Sequence, residues 1–168
     1  MKFQAFTPKR GLLVLTVVLA IASVGVVGMT PQEEEGYSTI AVLTEDDDGE
    51  RVASDYPTQL AVNESQQFIV SVENHEQQPT NYTVVVVEQV FDFEDGERVI
   101  SEQREVDQFE AEIAHEETWT YTHELSPTVA GEDVRIVWLL YLEEEEVPDE
   151  PSTENAAYHV HLWFEVAE

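Results

Sequence analysis

The groups from which this chain could build chemistry are five histidines and 36 carboxylates; cysteine is absent. His159 and His161 stand two apart in the segment YHVHLWFEV, so on a strand both point to one face. Two imidazoles so placed could supply two ligands of a zinc site. The same spacing equally suits aromatic-like residues that face a core or a partner strand beside Trp163. His75 lies in an Asn-His-Glu turn, where satisfying turn backbone groups is the plainer role. A metal-dependent hydrolase is held in reserve, and it requires His75, His159 and His161 to converge.

The acids at 45–50 (EDDDGE) and 92–97 (DFEDGE) offer the oxygen-rich environment that calcium favours. Neither run has the alternating ligands or the closing glutamate of a calcium loop, so solvated turn acids are the expectation. The run 143–146 reads as a solvated tip. No pair of carboxylates stands out as catalytic, and no Ser–His nucleophile arrangement or glycine-rich phosphate loop is present. The sequence therefore assigns no catalytic residue, no metal ligand and no cofactor, and the expected class is not an enzyme. Two N-x-Ser/Thr sequons, at Asn63 and Asn81, are candidate N-glycosylation sites in an exported domain.

The elements that would position these residues are strands. Segments 37–44, 58–62, 67–73, 81–93, 98–106, 118–125, 134–142 and 158–166 are rich in β-branched and aromatic residues, and several alternate apolar with polar. In 118–125, Trp119, Tyr121 and His123 share one face. Segment 134–142 (VRIVWLLYL) is the most apolar run and is expected at the centre of a sheet. Phe109 and Ile113 are expected to pack from a loop, and Pro148 and Pro151 to break structure in an acidic loop over 143–155. About eight short strands separated by turn signals predict an all-β fold, an immunoglobulin-like Greek-key β-sandwich of 7–8 strands.

Charge is divided unevenly along the chain. The first thirty residues hold Lys2, Lys9 and Arg10 and no acid. Everything beyond holds four arginines and all 36 acids, a formal net charge of 4 − 36 = −32. Such a surface repels nucleic acid, whose binding requires cations that displace counterions. In molar salt the Debye length is about 3 Å, which screens most of the self-repulsion. Absence of lysine together with an excess of acids points to a salt-loving microbe. Residues 11–30 carry no charge and are long enough to span a bilayer as a helix. Lys9 and Arg10 precede them and Glu33–Glu35 follow, so the N-terminus is expected in the cytoplasm and the remainder outside. The apolar run extends beyond what a signal core needs, which favours an uncleaved anchor over cleavage near Ala20-Ile21-Ala22.

Several segments together resemble the C-terminal domain of a mostly archaeal membrane protein family, the domain of unknown function 1616 family. They are Tyr56-Pro57-Thr58, VSVENHE at 70–76, Asn81-Tyr82-Thr83-Val84, Glu117-Thr118-Trp119, Leu139-Leu140-Tyr141 and His161-Leu162-Trp163, in the family's order. The resemblance implies membrane association and the β-fold, and it supplies no chemistry. Family members commonly carry several membrane helices before this domain, whereas this chain has one such segment.

The organisation expected is thus a basic N-terminus (1–10), a transmembrane signal-anchor helix (11–30), an acidic stalk (31–36) and an extracellular β-sandwich (37–168). The expected role is a non-catalytic module that contacts an envelope or membrane protein. The alternative is an exported ligand- or ion-binding accessory subunit of a membrane complex, which would require a concave pocket with convergent polar groups.

Overall fold

A computed structural model describes residues 36–142 and 146–168. The anchor and stalk expectations for residues 1–35 lie outside these residues, as do three of the four acids in the run 143–146. Everything described is strand, turn or irregular loop. Nine strands form: β1 (Tyr37–Glu45), β2 (Arg51–Val52), β3 (Gln59–Ala61), β4 (Gln66–His75), β5 (Thr80–Glu94), β6 (Glu97–Ile113), β7 (Thr118–Leu125), β8 (Gly131–Leu142) and β9 (Tyr158–Ala167). They make a four-stranded sheet in the order β2-β1-β4-β7 and a five-stranded sheet in the order β3-β9-β8-β5-β6. All pairings are antiparallel except β3 with β9. The chain changes sheet at β2–β3, β3–β4, β4–β5, β6–β7 and β7–β8, so neither sheet is a simple meander.

The sheets pack face to face because alternate residues of each are apolar. Phe68 of β4 meets Trp138 of β8 and Phe164 of β9 edge-on, each at 6.0 Å between ring centroids. Val70 and Val72 of one sheet and Val84, Val86, Ile136 and Leu140 of the other complete the interior. Burial of each such side chain contributes about 1.5–3 kcal/mol.

Strand β8 is central, as its composition predicts, and is covered on both sides. Val134, Ile136, Trp138 and Leu140 face the opposite sheet. Val137, Leu139 and Tyr141 face outward with Val85 and Val87, under Val147 and Ala156 of the segment between β8 and β9. That segment is the expected loop, without helix or strand among its described residues, and from Val147 onward it lies against the sheet. Tyr141 Oη donates to Asn155 Oδ1 at 2.6 Å and accepts from the Ser152 amide at 3.3 Å, which holds it there.

The β5–β6 hairpin closes on Asp95-Gly96, both at positive φ (52° and 86°), the backbone of a two-residue type I′ turn. Phe109 and Ile113 correct the expected loop: β6 runs through both, paired to Val84 and Thr80 of β5. Register shifts after Val86 and Val90 absorb extra residues of β6, and such bulges let a long ribbon twist without losing its pairing. Beyond Val90, β5 has no partner on β8, so the end of the hairpin projects past the neighbouring strand.

Candidate functional site

The outward face of the five-stranded sheet has two halves. One is covered by the segment after β8. The other, formed by the projecting hairpin and the adjoining parts of β8 and β9, is open and gathers two of the four arginines beyond residue 30. Phe91 of β5 and Trp163 of β9 meet at 5.1 Å between ring centroids. The guanidinium of Arg135 lies 4.9 Å from the Phe91 ring and 5.4 Å from Trp163. Arg98, from the returning arm of the hairpin, lies 4.7 Å from Trp163 and 5.6 Å from Phe93. Phe93 itself is 64% exposed.

Arg135 is held by a relay of side chains. Its Nε donates to Gln89 Oε1 at 2.7 Å, Gln89 Nε2 donates to Gln103 Oε1 at 2.5 Å, and Gln103 Nε2 donates to the Pro151 carbonyl at 2.8 Å. Gln89 is buried, so its amide has little freedom to turn away. Asp133 neutralises Arg98 at 3.0 Å. Arg135, by contrast, pairs with no carboxylate among the described residues. Burial, and then the neighbouring Arg98, lower the pKa of Arg135 from its very high ordinary value, which leaves it cationic. His161 is exposed, yet partial desolvation against its neighbours, then Arg135 and His159, lower its pKa from the ordinary value. The result is a guanidinium held by a buried amide close to two rings, with its remaining N–H groups suited to receive a carboxylate in two parallel hydrogen bonds. Cation–π contact adds about 0.5–2 kcal/mol to such an arrangement.

His159 and His161 do share the outward face, beside Trp163 rather than in the core; His161 and Trp163 meet edge-on at 6.2 Å. His75 is on the other sheet, stacked on Tyr37 at 4.7 Å, so the three histidines of the hydrolase reading do not converge. Asn74, not His75, satisfies the turn: its Nδ2 donates to the carbonyls of Gln78 and Ile113 and its Oδ1 accepts the Glu76 amide. The acidic run at 45–50 is a hairpin turn in which Asp46 Oδ1 accepts the amides of Asp48 and Glu50. Among the described residues, no group of three or more His, Asp or Glu side chains is placed to hold a metal ion. Asn63 is exposed in the turn after β3, whereas Asn81 is half-buried within β5 and paired with Glu112. An open depression of about 730 Å³ lies between β6 and the segment after β8, lined by Arg104, Glu105, Asp149 and Glu150 among others. Its arginine is already engaged by Glu88 and Glu102.

Sequence reasoning missed two further arrangements. His123, which it placed on one face with Trp119 and Tyr121, is 2% exposed between the sheets. Its Nδ1 accepts Trp138 Nε1–H at 3.1 Å, and its Nε2 lies 3.3 Å from Asp107 Oδ2. Burial lowers its pKa against the opposing pull of Asp107. The arginine–aromatic face was equally hidden, because its members come from four strands. The one available signal was the scarcity of arginine in the acidic part of the chain.

This architecture defines an all-β, two-sheet domain. The chain matches the family described as Domain of unknown function (DUF1616) over residues 31–165, and it belongs to that family. No curated protein matches it. Among solved structures, it is similar to a β-glucosidase from Listeria innocua in complex with glucose, with TM-score 0.50 and 14% identity. That similarity covers 79% of this chain and 16% of the glucosidase, and it shows a shared fold. The CARDB domain of the PF1109 protein from Pyrococcus furiosus, in complex with di-metal ions, is similar with TM-score 0.48 and 17% identity over 80% of this chain and 96% of that one. Spo0M, a sporulation control protein from Bacillus subtilis, has TM-score 0.45 and 11% identity over 78% and 49%.

Proposed function

We propose that this protein is a membrane-anchored, non-catalytic interaction module of a salt-adapted microbe, displaying an immunoglobulin-like Greek-key sandwich outside the cell. The order β9-β8-β5 opposite β1-β4-β7 supports the immunoglobulin-like assignment, since it parallels the G-F-C and A-B-E strands of those sandwiches. The uncharged segment 11–30 between basic and acidic flanks supports the anchor, and the net charge of 4 − 36 = −32 beyond it supports the saline habitat.

The observation that carries the interaction role is the open arginine–aromatic face. A rigid sheet presents it to solvent, and Arg and Trp are residue types that dominate binding surfaces. Two experiments test the reading. Protease treatment of intact cells should remove the domain while leaving the N-terminal segment with the membrane. Capture of the full-length chain from its own membranes in high salt, read by mass spectrometry, should return an envelope component in fixed ratio. A protease-resistant domain in intact cells would end the surface reading, and a chain recovered alone would end the partner reading.

A further inference from the structure

We infer that the face built by Phe91, Phe93, Arg98, Arg135 and Trp163 binds a saccharide that carries a carboxylate, a sugar of the uronic-acid type. The inference rests on the interaction-module reading and names the chemistry of the partner. Arg135 has its Nε committed to Gln89, lies within cation–π distance of two rings, and has no carboxylate partner among the described residues. In a domain so rich in acids, a guanidinium held this way without a counter-ion is complementary to an external anion. A carboxylate meeting the in-plane N–H edge makes the strongest neutralising contact available.

The surroundings favour a sugar over a protein. The face spans four neighbouring strands, about 14 Å across at a spacing of about 4.8 Å. A stable protein interface needs about 20–30 residues a side with an apolar centre. Here Asp133 pairs with Arg98 and exposed Glu165 lies two residues along β9 from Trp163, so the face has a charged margin rather than an apolar one. A stretch of two or three pyranose rings matches this footprint. The flat C–H face of a sugar packs on Phe93 and the free edge of Trp163, its carboxylate reaches Arg135, and exposed His159 and His161 supply polar atoms for hydroxyls. The face is open rather than enclosed, which suits a polymer that lies across it. Each contact is then weak and gains from repetition along the chain.

The test is titration calorimetry of the full-length chain in detergent micelles, in about 1 M salt so that long-range repulsion is screened. The probes are trigalacturonate, the corresponding neutral galactose trimer and a hexaglutamate peptide. The expected result is trigalacturonate binding at least tenfold tighter than the neutral trimer. Arg135→Gln and Arg135→Lys should each weaken it at least tenfold, because lysine keeps the charge but not the fork. Phe93→Ala, at a solvent-facing position whose loss leaves the fold intact, should weaken it severalfold. Arg51→Gln, on the other sheet, should leave it unchanged. No binding of trigalacturonate, equal binding of the neutral trimer, or equal loss in Arg51→Gln would overturn the inference. Binding of hexaglutamate alone would assign the face to an acidic peptide, overturning the saccharide while keeping the module. If neither probe binds but the membrane capture still returns its envelope component, the saccharide fails and the module stands.

Discussion

Acidification through the range where histidine titrates should destabilise this domain through His123. The neutral ring accepts Trp138 Nε1–H at Nδ1, which places its own proton on Nε2, 3.3 Å from Asp107 Oδ2. A second proton has only Nδ1 to go to, and there it would face the indole N–H donor to donor. The buried indole would lose its acceptor, at a cost of about 1–3 kcal/mol. Attraction from Asp107 opposes this, but that carboxylate is 41% exposed, and such pairs contribute about 0–1 kcal/mol. Burial therefore wins, and the folded pKa lies below the ordinary value. The sign follows: the unfolded chain takes up a proton near pH 6.5 that the folded chain refuses. Stability is thus full above about pH 6.5 and falls below it by up to about 1.4 kcal/mol per pH unit until the folded pKa is reached. Between pH 6.5 and 5 the loss is at most about 2 kcal/mol. His123→Gln keeps an acceptor for Trp138 and a donor for Asp107 and cannot titrate, so its stability should be flatter over this range. Denaturant unfolding of both proteins at pH 5.0 to 7.5, with NMR titration of the imidazole, measures the difference. An imidazole that titrates at or above the ordinary value, or a variant with the wild-type slope, would refute the reasoning.

Glu88 is fully buried and accepts both the amide and the hydroxyl of Thr128, with Arg104 at 3.6 Å, so it ties the β7–β8 connection to β5. Glu88→Ala should cost about 3–5 kcal/mol and Glu88→Gln about 1–3 kcal/mol, read from denaturant midpoints. Gly96 has φ of 86° with open space around the position of a Cβ, so Gly96→Val should destabilise the hairpin through backbone strain alone, by about 1–2 kcal/mol. A chain beginning at Gly36 should show native circular dichroism in about 2–4 M salt and loosen in dilute buffer as the screening of its acids is lost. Equal stability at both salt concentrations would remove the habitat reading.

Several features were legible from order along the chain. Alternation in 67–73 and 118–125 gave strands β4 and β7, the apolar run at 134–142 gave the central strand, and the acids at 92–97 gave the turn between β5 and β6. These follow from local rules, since side-chain period and turn conformation depend on neighbours a few residues away. The charge asymmetry and the uncharged run of residues 11–30 are likewise properties of the sequence itself. The length of β6 was not legible, because its polar residues form an edge strand whose partner, β5, supplies the hydrogen bonds and whose bulges break the period. The packed segment after β8 was hidden as well, since Val147 and Ala156 find apolar cover only once Val85, Val87 and Leu139 share a face. The candidate site depended entirely on tertiary structure. Arg135 acquires its role from Gln89 and Gln103 on two other strands and from rings on β5 and β9. Sequence by itself determined the kind of fold and the distribution of charge, because both are sums over local composition. Strand register alone decided which of the few cations would be held beside aromatic rings and left without a carboxylate among the described residues, because that depends on residues distant in the chain becoming neighbours across a sheet.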